Sequence, residues 1–251
     1  MMKKLLLFLL TLFISASVFA CCSSGGISCL TNTNKLSPNG QIVIVFYGHA
    51  LKYIPALNKK YPVYLKAASG NVTLLPADSF LCDNLKQIVF KPAKKLRIGE
   101  TYALTIDSLH KGDFLEKRFL QNGVWEHYNF LVTGLPDLTP PVFAAQPIEI
   151  SQSTGKNNSA HAWNFAYSCR CKTDSTPIVL VTVTNKNSGK EQKFLKRVYK
   201  GTISIGGSIC SSDFSLEANQ EVTFRLMDHS GNLGKASKRL PVAITDDREG
   251  R

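Results

Sequence analysis

Apolar residues in this chain fall into short runs that either alternate with polar ones or form unbroken β-branched and aromatic stretches. QIVIVFY, PVYLKA, NVTLL, QIVF, TYALTID and EHYNFLVT lie between Lys35 and Gly134, separated by Pro, Gly, Asn and Asp. No window there carries a helical stripe, so the pattern predicts strands. LPDLTPP, from Leu135 to Pro141, interrupts it, because proline fixes φ and has no N–H for a ladder. The pattern then resumes with AWNFAYSC, a hairpin PIVLVTVTNKNSGKEQKFLKRVY turning at Asn187-Ser188-Gly189, and then TISIGG, EVTFRLMD and RLPVAI. The expected architecture is all-β: two tandem antiparallel sandwiches, 35–135 and 138–245, with a frayed polar tail at 246–251.

Ahead of the strands, Lys3 and Lys4, the run LLLFLLTLFI and the small-residue segment SASVFA form a secretory signal over residues 1–20. The run is shorter than the roughly 20 residues that span a bilayer. Cleavage after Ala20 leaves Cys21 first, and Val18-Phe19-Ala20-Cys21 resembles the bacterial lipoprotein signal, whose cysteine is lipidated. Val18 and Ala20 equally satisfy ordinary signal-peptidase cleavage, and Phe19 departs from the lipoprotein pattern. Residues 21–34 then read as a flexible tether. Export implies a cell-envelope location, periplasm or outer membrane, and makes nucleic acid an unexpected partner for the formal charge of +12. That charge is spread along the chain, as on a solvated surface.

Two segments carry a family resemblance. FKPAKKLRIGETYALTID, Phe90 to Asp107, resembles the closing motif of bacterial Ig-like domains. Pro92 ends a strand, Leu96 plugs the sandwich end, Gly99 makes the turn, and Tyr102, Leu104 and Ile106 share one side of the returning strand. DLTPP together with EVTFRLMDHSGNLG is similar to the Asp-x-x-Gly-Asn ending of bacterial Ig-like and fibronectin type III-like modules. Asp228 would accept backbone N–H groups there, while Gly231 and Asn232 tolerate φ > 0. The resemblance implies a spacer, adhesion or binding module with no catalytic residues and no cofactor.

Seven cysteines bear on this reading. With Cys21 given to a lipid, six remain for disulfides in an oxidising compartment. Alternation along the strand from Trp163 puts Trp163, Phe165, Tyr167, Cys169 and Cys171 on one face, and either cysteine could reach Cys210, the alternative being buried free thiols. Cys82 would pair with Cys29 or Cys22. Metal binding by these thiols lacks the close ligand pairs of a zinc site, so no metal is expected. A periplasmic copper-binding sandwich is the alternative function, and an accessory or inhibitor subunit of an exported enzyme is a further one.

His49, His110, His127, His161 and His229 form no HExxH or HxH. Neither Ser204 nor Ser208 sits in a GxSxG elbow. Asp107, Asp113 and Glu116 lie among Lys111, Lys117 and Arg118, which reads as a solvated loop. DHSGN has too few oxygen ligands for calcium. Asn71-Val72-Thr73 and Asn157-Asn158-Ser159 are sequons that matter only in a eukaryotic pathway. The remaining candidate is the basic hairpin, Asn185 to Gly201, where Lys190, Lys193, Lys196, Arg197 and Lys200 could contact an envelope protein, an anionic glycan or a lipid surface. The same lysines could equally guard a sheet edge.

Overall fold

The computed structural model describes residues 25–82, 84–109, 112–113, 117–119, 125–157, 160–172, 177–207 and 212–242. Among these the β-rich runs form strands, and the one helical element is a 3₁₀ segment, Gly48–Ala56. The signal sequence, Cys21, Cys22, Cys210 and the polar tail lie outside the described residues.

The first unit contains β1 (Gly26–Cys29), β2 (Lys35–Leu36), β3 (Ile42–Tyr47), β4 (Val63–Ala67), β5 (Gly70–Cys82), β6 (Leu85–Pro92), β7 (Thr101–Ile106), β8 (Lys117–Phe119), β9 (Trp125–His127) and β10 (Asn129–Val132). Apart from the small β8–β9 pair, they form a single sheet ordered β1-β3-β6-β5-β4-β7-β10-β2. The sheet turns back on itself through β5. Its first residues pair with β4, its later ones with β6, and the register slips between Pro76 and Asp78. A proline there suits a bulge, since it cannot donate to the ladder. Ile42, Ile44, Phe46 and Phe90 from one half thus meet Leu65, Tyr102 and Phe130 from the other in one buried core. The closing motif behaves as its residues suggest. Pro92 ends β6, Leu96 is buried, Gly99 has φ +82° and Tyr102, Leu104 and Ile106 point inward.

The expected tether is structured over its described part. β1 pairs antiparallel with β3, burying Ile27 and Cys29, and Thr31 is also fully buried. Alternation over only four residues at the end of a polar, Gly-rich run is too short to show this in the sequence.

The second unit contains β11 (Glu149–Asn157), β12 (Ala160–Ser168), β13 (Ile178–Asn185), β14 (Glu191–Arg197), β15 (Thr202–Gly207), β16 (Gln220–Met227) and β17 (Leu240–Val242). A three-stranded sheet, β11-β12-β15, faces a four-stranded one, β14-β13-β16-β17. Phe165, Tyr167, Ile203 and Ile205 pack against Val181, Phe194, Phe224 and Leu226 between them. Gly207 lies beneath the Trp163 indole, where an added Cβ would stand 2.7 Å from the ring.

Both units contribute to a third buried cluster, and this decides how they sit together. Val43 and Val89, on the outward faces of β3 and β6, pack with Ile178, Leu180, Leu195 and Met227 from the outward face of the four-stranded sheet. The unbroken runs QIVIVFY and PIVLVTVT now have a cause: alternate residues serve a domain core, and those between serve the joint. Strands buried on both faces read as continuous apolar runs.

Polar groups pin the joint. Gln87 Nε2 donates to Leu195 O at 2.7 Å, and Leu195 N donates to Gln87 Oε1 at 2.6 Å. Arg197 Nη2 donates to Leu30 O at 2.9 Å and to Cys29 O at 3.3 Å. Gln41 N donates to His229 O at 2.5 Å, and the Ser37 and Ser230 hydroxyls are 2.6 Å apart. The proline-rich linker is held from both sides. Asp137 exchanges two hydrogen bonds with Asn39, and Asn232 Nδ2 donates to Asp137 O at 3.0 Å.

Candidate functional site

The basic hairpin is β13 and β14 joined through Asn185–Lys190, and β14 is the edge strand of its sheet. Its free edge does not face solvent. Alternate residues of an edge strand direct N–H and C=O away from the neighbour, and those of β14 meet the first unit. Lys193 O receives the Cys82 thiol at 3.8 Å, and both backbone groups of Leu195 are taken by Gln87. Edge protection therefore comes from docking on β5 and β6, with the lysines placed elsewhere. The cause is the apolar residue Leu195, which follows Phe194 and breaks the alternation so that both faces of β14 are buried.

The five basic residues separate into different environments. Lys190 is exposed at the turn, and Lys193 is exposed and 2.7 Å from Glu191. Lys196, Arg197 and Lys200 line a cleft of about 880 Å³ at the joint between the units. Its floor is apolar, from Leu30, Val45 and Leu85 of the first unit and Leu195 of the second. Lys196 Nζ is held 3.0 and 2.9 Å from the two oxygens of Asp213, which also accepts from Gly206 N at 2.8 Å. Arg197 is the clamp described above. Among the described residues Lys200 has no carboxylate partner. Its ammonium lies 5.5 Å from the centre of the Tyr199 ring, which is itself exposed.

Lys200 and Gly201 make the two-residue turn between Tyr199 and Thr202, whose N–H and C=O groups exchange two 2.9 Å bonds. Both turn residues have positive φ, +48° and +74°, as this class of hairpin turn requires. A lysine in the left-handed region costs about 1 kcal/mol relative to glycine, so the cation is placed in the cleft against local preference. Thr202 and Gly206 direct their backbone groups off the free edge of β15, to Tyr199 and Asp213 respectively. By the same alternation Ser204, between them, directs its N–H and C=O into the cleft it lines.

The other candidates resolve as follows. Asp113 accepts from the Tyr53 hydroxyl and lies 2.9 Å from His49 Nε2, and these hydrogen bonds hold its carboxyl below the usual range. Asp113 O also receives Ile27 N at 2.7 Å, so this loop fastens β1. Asp107 accepts from Tyr64 Oη at 3.0 Å, while Glu116 lies outside the described residues. The DHSGN turn is as expected at Asp228, which accepts from Ser230 N, Asn232 N and Asn232 Nδ2. Burial nevertheless pushes its carboxyl up. Positive φ falls on Gly231 and not on Asn232. The turn also abuts Gln41, a role in the joint that the motif does not announce.

No disulfide is formed among the described residues. Cys29 lies in the first core and Cys82 beside β14 in the second, and each is buried. The Cys169 and Cys171 sulfurs are 3.6 Å apart. The structure does not bring Cys29 together with this pair, and among the described residues no three His, Cys, Asp or Glu side chains converge as metal ligands. His127 is exposed and His229 is buried at the joint. Among the described residues no helix is long and apolar enough to cross a membrane.

No protein-family model matches the chain, and no curated protein does. Solved structures similar to it include a pullulanase from Anoxybacillus sp. LM18-11 complexed with maltotriose, at 10% identity and TM-score 0.24, covering 84% of this chain and 24% of that one. A tetra-tandem repeat from the extending region of a large adhesion protein is 13% identical at TM-score 0.23, covering 88% and 50%. A DUF4785 family protein from Legionella pneumophila is 10% identical at TM-score 0.22, covering 84% and 55%. This chain thus spans about a quarter of the pullulanase and about half of the other two neighbours. Superposition at this level carries no argument about activity or ligand.

Proposed function

We propose that the protein is an exported, non-catalytic module of the cell envelope, built from two Ig-like sandwiches, which binds an anionic partner at the joint between them. The observation that carries this reading is the convergence of Lys196, Arg197 and Lys200 on one cleft, with Lys200 held in a left-handed turn and, among the described residues, without a carboxylate partner. With Asp213 as the opposing charge, the cleft keeps a positive excess over an apolar floor, which favours anionic groups carried on a partly apolar body. The buried, hydrogen-bonded joint supports a body in which the two sides of the cleft keep a fixed spacing. The leader supports export, and Cys21 is the site where a lipid would attach it to the envelope.

The test uses the full mature chain on beads bearing a carboxylated polysaccharide and on beads bearing a neutral one. Retention on the acidic beads that falls with salt, and falls several-fold further in Lys200→Glu, is expected. Equal retention on both matrices would sink the proposal. The mass of the mature N terminus after fatty-acid labelling tests the anchor separately.

A further inference from the structure

Cys169 and Cys171 flank Arg170 just beyond the end of β12. In an extended segment, residues two apart point to the same side, and here that alternation leaves the two sulfurs 3.6 Å apart. Their surroundings differ. Cys169 is 2% exposed among Phe165, Tyr167 and Val198 of the second core. Cys171 is only partly buried and pairs its backbone with Phe143. Neighbouring backbone bonds, Ala144 N to Arg170 O at 2.8 Å and Lys172 N to Val142 O at 3.2 Å, fix the segment against the linker. The sulfurs therefore meet on a segment that is anchored on both sides.

We infer that Cys169 and Cys171 are a reactive dithiol that closes to a disulfide with each other by exchange with an external disulfide. The sulfurs need to approach from 3.6 Å to about 2.05 Å. Cys171 is the accessible member, and the hydrogen bond it shares with Cys169 holds its thiol below the ordinary value. The hydrogen bond with the adjacent Cys171 sulfur, and then burial, push the Cys169 thiol up, so it keeps its proton until the second step.

The exchange balances in two steps. The Cys171 thiolate attacks one sulfur of an external disulfide, forming a mixed disulfide and expelling one thiolate. Cys169 then gives up its proton and attacks the Cys171 sulfur, closing the internal bridge and expelling the second thiolate. Two protein thiols and one external disulfide become one protein disulfide and two external thiols. The first leaving group departs from the external disulfide and the second from the Cys171 sulfur, on the side open to solvent.

Tryptic mapping tests this because Arg170 separates the two cysteines. The full mature chain is reduced, freed of reductant, exposed to oxidised glutathione, quenched in acid, alkylated under denaturing conditions and digested. The expected product is the peptide from Asn157 to Arg170 joined to Cys171-Lys172, or the uncut Asn157 to Lys172 peptide with neither cysteine alkylated. The Cys210→Ser variant should give the same product. Cys169→Ser should instead stop with glutathione on Cys171. Alkylation of both cysteines, a glutathione adduct persisting on Cys171 in the unmutated chain, or linkage of either sulfur to the Gly201 to Arg225 peptide that holds Cys210 would each overturn the inference.

Discussion

Gln87 and Leu195 form a reciprocal pair across the joint: the side-chain amide of one satisfies both backbone groups of the other, at 2.7 and 2.6 Å. Both residues are buried, so water cannot replace the amide. A glutamine in a β-strand thereby completes the edge of a sheet in the other unit. Gln87→Leu should cost about 2–3 kcal/mol, the penalty for leaving buried backbone groups unpaired. Urea denaturation monitored by tryptophan fluorescence reads that loss, and an unchanged midpoint would show that the joint has another lock.

Gly231 has φ +84°, and an added Cβ would fall 2.3 Å from the Gln41 side chain. Gly231→Ala should destabilise the protein by about 1–2 kcal/mol through the left-handed backbone alone. Because the Gln41 side chain can rotate away, Gln41→Ala should recover only a minor share. Full recovery in the double variant would place the whole cost in the clash.

Asp113 links acidity to the N-terminal strand. Its carboxyl is held below its ordinary value of 3.8 by hydrogen bonds from Tyr53 and His49. A depressed carboxyl stabilises the fold fully above its unfolded value, and that contribution is lost as pH falls through the depressed folded value. The protection of the Ile27 amide against exchange, relative to its intrinsic rate, should therefore fall selectively below about pH 4, and Asp113→Asn should flatten that dependence. Identical acid profiles in the two proteins would remove Asp113 from the fastening of β1.

Asp213 serves structure and charge at once, holding Lys196 and the Gly206 N–H. Asp213→Asn keeps one acceptor but removes the negative charge facing the cleft. Stability should fall by about 1 kcal/mol, since a part-buried pair is worth little more. Retention on an anionic matrix should rise in the same variant. A fall in both would mean that Asp213 shapes the cleft rather than neutralising it.

Strand positions were legible because turn residues and β-rich runs alternate so regularly, and the closing motif around Pro92, Leu96 and Gly99 was legible because each residue has one steric job. The joint was legible only in part. Ile42 to Phe46 and Ile178 to Val181 show no polar face, which signals burial on both sides, but not what covers the second side. The partners lie far away in sequence: Gln87 meets Leu195 across 108 positions and Arg197 meets Leu30 across 167. Local propensity carries no trace of such pairs. For the same reason the hairpin's cations looked like one patch, although Lys193 is satisfied by Glu191, Arg197 is spent on carbonyl groups and only part of the set reaches the cleft.

The stapled linker gives the two units a fixed span. Asp137 is gripped by Asn39 on one side and Asn232 on the other, so loops on the first unit and loops on the second keep one separation. Two weak contacts made by such a body to a single surface would act as a bivalent grip. The second would form at high effective concentration, without the entropy that a slack linker surrenders.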